Sequence, residues 1–148
     1  LIRAVSAPFS IVSRATFLAR LFVHDGGGGG DTLDFGTSPG ATDLIDAGTG
    51  EAALPSLPAP GAFDARWLID GSNGSARDVR DTLSSSHARI RYRLALQAGP
   101  GGYPMTLRWS SDSLGEGAFL LVDSATGEVH VFARDPAGPA DWTAAAAP

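Results

Sequence analysis

Hydrophobic and polar residues alternate along much of this chain, most regularly between His87 and Gln97. In that stretch Ile90, Tyr92 and Leu94 occupy alternate positions, with arginines between them. Alternation with a period of two is typical of a β-strand with one buried face, because successive side chains of a strand point to opposite faces. The pattern therefore predicts a half-buried strand over this whole stretch.

Several other stretches carry the same signal and are separated by turn-forming residues. Alternation with one lapse runs from Phe9 to Val23, and apolar or aromatic runs follow at 31–36, 63–69, 103–109, 118–122 and 128–133. Glycine and proline stand between most of these runs, as is typical of turns between short strands. We expect the run at 103–109 to form a hairpin with the strand before it, and the last two runs to form another hairpin.

Little of the sequence favours a helix, so the expected fold is all-β. Seven to eight short strands with turn signals between them are typical of an antiparallel β-sandwich, either immunoglobulin-like or jelly-roll-like. We assign residues 16–136 to this domain. Residues 137–148, rich in alanine and proline, are expected to form a tail or linker. Residues 1–15 are either the first strand of the domain or an N-terminal extension exchanged between subunits.

Two loops differ from the tight turns elsewhere. Gly26–Gly30 is a run of five glycines, and without the lysine and following helix of a phosphate-binding loop it predicts a flexible hairpin connection. The segment 37–61 has no sustained periodicity and several prolines, which cannot donate to a sheet ladder, so we expect extended chain on the surface. Loops of that length in compact domains are usually functional or held down by their own side chains.

Composition and charge exclude some partners. The chain has no cysteine, its eleven basic residues are all arginine, and its net charge is -5. Binding to a nucleic-acid backbone requires a concentrated positive field, so nucleic acid is not an expected partner. No apolar run reaches the roughly 18 to 20 residues that span a bilayer, so we expect no membrane insertion. Leu1 stands where an initiator methionine would be, and we expect a removed export signal.

Short strings that follow one another in order carry a family resemblance. The strings Asp31–Gly36, Ala41–Asp43 and Phe63–Arg66, followed by Gly102–Trp109, resemble a module of large secreted bacterial proteins that use the type IX secretion system. In those proteins the module lies just upstream of the C-terminal sorting domain. Leu44 departs from the pattern, which has glycine after the second string.

The resemblance covers roughly Phe17 to Ala133 and implies export together with a β-sandwich fold. It implies no catalytic residues. The expected location is therefore secreted, extracellular or on the cell surface.

Acidic residues concentrate in and around the first long loop. The candidate metal ligands are Asp31, Asp34, Asp43 and Asp46, with Glu51 nearby. Carboxylate oxygens on a glycine-rich loop suit Ca²⁺, which takes six to eight oxygen ligands, although this spacing fits no EF-hand. Aspartate also caps turns by bonding to neighbouring backbone groups. The cluster is therefore either a calcium site or a set of turn caps.

Arginines and tryptophans provide a second candidate surface. A carbohydrate-binding face would combine the arginines of one strand face with exposed tryptophans, namely Arg89, Arg91, Arg93, Trp67, Trp109 and Trp142. Aromatic residues of β-sandwiches also build the core, so carbohydrate binding is an alternative to a structural role.

No catalytic or nucleotide-binding pattern is recognisable, and we predict that the chain is not an enzyme. It has no Gly-x-Ser-x-Gly elbow, and its three histidines lie in or beside predicted strands. The expected function is that of a structural or adhesive surface module, with a carbohydrate- or calcium-binding accessory module of a larger secreted protein as the alternative.

The N-terminal stretch suggests how such a module would assemble. A strand that extends beyond its own domain can complete the sheet of a neighbour. Phe9, Ile11 and Phe17 are the candidate subunit-interface residues, and the expected partner is a second copy of the chain in a filament, or a neighbouring domain of the same surface protein.

Overall fold

The computed structural model describes residues 3–10, 16–82, 89–110, 113–114, 118–132 and 141–144, and only the backbone of 3–10, 118, 130–132 and 141–144. These residues form ten strands and one 3-10 helix, so the fold is all-β as the sequence predicts. The strands are β1 (Arg3–Ser10), β2 (Phe17–His24), β3 (Gly30–Thr37), β4 (Asp64–Trp67), β5 (Arg77–Arg80), β6 (Arg89–Gln97), β7 (Met105–Trp109), β8 (Ala118–Asp123), β9 (Val129–Phe132) and β10 (Asp141–Ala144). The 3-10 helix spans Ala47–Thr49.

The strands form two sheets of five. Sheet A has the order β4-β6-β1-β8-β9, and sheet B has the order β10-β7-β2-β3-β5. All neighbouring strands are antiparallel except β3 and β5, which are parallel. One hydrophobic core takes residues from both sheets.

Burial along the central strands follows the predicted period of two. In β2, Ala19, Leu21 and Val23 are buried, whereas Leu18 and Phe22 face outward and are exposed. The first part of β6 alternates in the same way between buried apolar residues and exposed arginines. The alternation in the sequence therefore identified the core face of both strands.

Aromatic rings join the two sheets at the centre of the core. The ring of Phe35, on β3 of sheet B, lies 5.4 Å from that of Trp67 and 5.2 Å from that of Tyr92, on β4 and β6 of sheet A. The Tyr92 hydroxyl also donates a 2.5 Å hydrogen bond to the carbonyl of Gly36. Tilted and edge-on aromatic pairs add stability beyond the area they bury, so this cluster fixes how the sheets face each other.

The predicted hairpin between the strands at 87–97 and 103–109 is wrong. β6 belongs to sheet A and β7 to sheet B, so the turn between them carries the chain from one sheet to the other. A turn signal shows that the chain reverses, but it does not show whether the next strand pairs in the same sheet or crosses to the other sheet. Each of these strands has one apolar face, and both arrangements bury it. The hairpins β2–β3 and β8–β9 form as expected.

Two strands lie where the sequence predicts none. β5 occupies a polar stretch. Its two buried residues, Asp78 and Val79, are adjacent in the sequence and so do not follow a period of two. β10 lies within residues 137–148, the expected tail, and pairs with β7. Both are short edge strands whose place depends on a partner strand and not on their own apolar pattern.

The glycine loop between β2 and β3 is held by one buried carboxylate. Asp25 accepts hydrogen bonds from the backbone of Gly27 (3.0 Å), Gly29 (2.7 Å) and Gly99 (3.2 Å). The five-glycine run is therefore anchored at its base and tied to the turn that follows β6.

Replacing Gly36 with alanine is expected to destabilise the fold, because the added Cβ would overlap the carbonyl oxygen of Phe17 in the adjacent strand. Overpacking of this kind costs about 1–3 kcal/mol, measurable as a lower free energy of unfolding in urea. Gly48→Ala is the matched control, since a Cβ there meets no atom within 4 Å. Equal losses in the two variants would contradict the close approach.

Candidate functional site

The most unusual part of the fold is the connection 38–63 between β3 of sheet B and β4 of sheet A, which we call the strap. Its only regular element is the 3-10 helix. Proline-rich chain cannot be held by ladder hydrogen bonds alone, so its position depends on side chains. Polar side chains of both sheets supply these contacts.

The first half of the strap is attached to β5. The buried carboxylate of Glu51 accepts hydrogen bonds from the backbone N–H of Val79 (2.5 Å) and of Asp46 (2.6 Å). The backbone of Ser38 donates to the carbonyl of Arg80 (2.9 Å), and that of Gly40 donates to a carboxylate oxygen of Asp81 (2.8 Å). The free edge of β5 is therefore occupied by the strap, with a carboxylate in the place of a strand.

The second half of the strap lies on the outer face of sheet A. Arg66 is only 2% exposed and donates to both carboxylate oxygens of Asp64, from Nε at 2.6 Å and from Nη2 at 2.5 Å. Its remaining nitrogen donates to the carbonyls of Pro55 (2.7 Å) and Asn73 (2.8 Å). The amide of Gln97 donates to Ala59 and Ala62 at 3.0 and 2.8 Å. With four hydrogen bonds, the guanidinium of Arg66 thus fixes chain segments that have no ladder of their own.

The acidic residues proposed as metal ligands bind separate partners. Asp31 accepts from the backbone of Thr32, Asp34 pairs with Arg20 and Arg77, Asp43 pairs with Arg80, and Asp46 accepts from the backbone of Thr42. Across the part of the chain that the structure describes, no three histidine, aspartate or glutamate side chains are grouped so as to hold a metal ion. Asp31 and Asp46 thus each accept from a nearby backbone N–H, and calcium binding stays a prediction.

Asp34 is held between two guanidinium groups. Burial alone would raise the pKa of its carboxyl, but hydrogen bonds and positive charge from Arg20 and Arg77, each at 2.8 Å, outweigh burial and lower the pKa. Asp78 shows the opposite balance: its burial raises the pKa of the carboxyl, although Arg80 pairs with it. The surroundings of Asp34 thus stabilise its charged form, whereas burial of Asp78 disfavours its charged form.

A cleft opens where the start of the strap meets the end of β5 and the start of β6. It has a volume of about 470 Å³, and its lining includes Arg80, Arg89 and Arg91 together with Thr42 and Asp43. Arg89 and Arg91 are exposed on the outer face of β6. The sequence placed these two arginines on one strand face, but nothing in it showed that Arg80 of the other sheet would join them.

The predicted interface residues fall in different settings. The backbone of Phe9 pairs with Ile90 and with Phe119, which are both buried. Ile11 lies outside the described residues. Phe17 begins β2 and packs edge-on against Phe35 and Phe119, with ring centroids 5.9 and 5.5 Å apart. Phe17 therefore serves the core of its own chain here.

Two of the three tryptophans considered for sugar binding are buried. Trp67 and Trp109 are 3% and 5% exposed and belong to the core, and the side chain of Trp142 lies outside the description. Sequence analysis also missed the anchoring role of Arg66. A signal for it exists, because Asp64 and Arg66 are two residues apart in a strand and must share a face.

The described residues contain no helix long and apolar enough to cross a membrane. No protein-family model, curated protein or solved structure matches this chain.

Arg66→Met is expected to lower the free energy of unfolding by about 3–5 kcal/mol, because it leaves the Asp64 carboxylate and the carbonyls of Pro55 and Asn73 without their donor in a water-poor site. Arg93→Met is the matched control: Arg93 also pairs with an aspartate, Asp70, but both side chains are substantially exposed, and such pairs contribute about 1 kcal/mol at most. Urea unfolding measures both variants, and limited proteolysis reports release of the strap. Equal losses would show that Arg66 has no special role.

Asp34→Asn is expected to reduce stability near pH 7 by about 1 kcal/mol, allowing for the solvent exposure of Arg20. The folded-state pKa of Asp34 lies below its ordinary 3.8, so its charged form stabilises the fold above that pH. This contribution is lost as the pH falls through the folded-state value. The difference between the two proteins should therefore shrink in acid, as measured by urea unfolding from pH 7 down to pH 2.

Asp31→Asn is the control for this pH series, since Asp31 is exposed and accepts only from the backbone of Thr32. A deficit of Asp34→Asn that stays constant down to the lowest pH would contradict the assigned ion pairs.

Proposed function

We propose that this chain is a structural or adhesive module of a secreted or cell-surface protein, built as a β-sandwich and joined to other copies of itself through its N-terminal strand. Two packed sheets with a shared core support the sandwich. The resemblance of residues 17–133 to a module of type IX-secreted proteins supports export. The proposed partner is a second copy, forming a filament.

The position of β1 is the observation that carries this proposal. β1 lies between β6 and β8, and all eight of its residues pair with β6 while part of it pairs with β8. Among the described strands, β1 alone connects the β4–β6 half of sheet A with the β8–β9 half. A sheet that lacked it would be split in two, leaving β6 and β8 each with one unpaired edge.

β1 is central in its sheet and precedes the other described strands in the sequence, and such a strand is suited to exchange. The groove between β6 and β8 makes the same hydrogen bonds whether β1 comes from its own chain or from another copy. Exchange in one direction around successive copies gives an open chain, since the donating strand and accepting groove are different surfaces.

The outer edges of the sheets favour this route over simple edge pairing. The edge of β4 pairs with Ser75 through a bridge at Trp67, and the edge of β5 is occupied by Glu51 and Ser38. Unpaired edges invite association with other chains, and natural proteins often cover them. The edges of β4 and β5 are therefore taken, whereas the groove between β6 and β8 offers a strand pairing partners on both of its sides.

The absence of cysteine allows a direct test with the double variant Ser6→Cys, Val122→Cys. These positions pair across β1 and β8, where facing Cα atoms of an antiparallel pair lie about 4.5–5.5 Å apart, within reach of a disulfide. Strand exchange predicts a ladder of disulfide-linked dimers and larger oligomers on a non-reducing denaturing gel after mild oxidation, together with polymers by light scattering.

The two single-cysteine variants are the controls, and each should give no product larger than a dimer. Intrachain disulfides alone over a wide range of protein concentration would overturn the assembly proposal, since β1 would then remain in its own sheet.

A further inference from the structure

Arginine in this protein is usually paired with aspartate. Five described arginine side chains form such ion pairs: Arg20, Arg66, Arg77, Arg80 and Arg93. Within the described part of the chain, Arg89, Arg91 and Arg108 have no carboxylate partner. Two of these three, Arg89 and Arg91, line the same cleft.

The carboxylates at the cleft already have other partners. Asp43 pairs with Arg80 at 2.9 Å, and Asp81 accepts from the backbone of Gly40 at 2.8 Å. Arg80 is also bound to the buried Asp78 at 2.5 Å, so its charge is neutralised from behind. Asp81 keeps its negative charge at the cleft, but neither Asp43 nor Asp81 is bonded to Arg89 or Arg91, so these two guanidinium groups can bind a ligand.

The surrounding sequence does not supply the missing carboxylates. No Asp or Glu occurs from residue 82 to residue 111, although the chain carries 16 acidic residues. The stretches outside the description that adjoin this corner in sequence, 11–15 and 83–88, contain Arg14 and His87 and no acid. The stretch 82–111 thus carries only positive formal charge, on a protein of net charge -5.

We propose that this cleft binds a small ligand through an oxyanion group, which Arg89 and Arg91 hold together. The two arginines are two positions apart on one strand face, about 7 Å between Cα atoms, so two guanidinium groups can converge on one anion. Guanidinium forks match carboxylate, sulfate and phosphate oxygens in paired hydrogen bonds.

The cleft and the overall charge limit the size of the ligand. A volume of about 470 Å³ is within the range of small-molecule sites. A long polyanion would meet the negative field of the rest of the surface, so a single charged group on a small molecule or at a chain end is the expected occupant. The proposal does not depend on assembly through β1.

Titration with sodium sulfate, sodium phosphate and sodium glucuronate tests the site, with sodium chloride at equal ionic strength as the reference. NMR signals of the arginine side-chain N–H groups of Arg89 and Arg91 should shift and saturate, while those of Arg108 should not. The double variant Arg89→Gln, Arg91→Gln should bind at least tenfold more weakly. Arg108→Gln, an exposed and similarly unpaired arginine on sheet B, should bind as tightly as the unmodified chain.

The three anions distinguish possible carriers of the group, since saturation by glucuronate alone indicates a sugar carboxylate and saturation by the inorganic anions indicates a sulfate or phosphate ester. Binding that is equal in the double variant and in Arg108→Gln, or shifts that chloride reproduces, would overturn the proposal. Circular dichroism of both variants, and the single variants Arg89→Gln and Arg91→Gln, separate lost binding from lost folding.

Discussion

The outer layer of this molecule depends on the buried guanidinium of Arg66. A charged group with 2% exposure is tolerated only when it is paired and its donors are satisfied. Arg66 meets this condition by binding one carboxylate and two carbonyls from separate chain segments. Because the bonded geometry is specific, the guanidinium fixes a proline-rich connection that contains no strand.

The same physical solution recurs where the strap passes β5. There Glu51 satisfies a backbone donor at the sheet edge, and Arg80 joins the strap to a buried carboxylate. These contacts cover the edge of sheet B and form one wall of the arginine cleft. The contacts between the strap and β5 thus produce both features. The covered edge bears on the proposed assembly through β1, and the cleft bears on the proposed anion binding by Arg89 and Arg91.

Alternation was a reliable guide for strands that bury one face. β2 and β6 follow it closely, and the core residues on them are those that a period of two selects. It failed for β5 and β10, whose positions come from pairing with β3 and β7. Alternation also could not assign strands to sheets. The expected hairpin of β6 and β7 was therefore wrong, since these strands belong to different sheets.

The sequence by itself determined the all-β class, the buried faces of the central strands and the absence of acidic residues between 82 and 111, where Arg89, Arg91 and Arg93 alternate along one strand. Each of these follows from local periodicity or from residue order along the chain. Only the tertiary structure decided that β1 lies inside its sheet, that Arg66 anchors the strap, and that Arg80 meets Arg89 and Arg91. These features join residues far apart in the chain, and local patterns carry no information about which distant partners will meet.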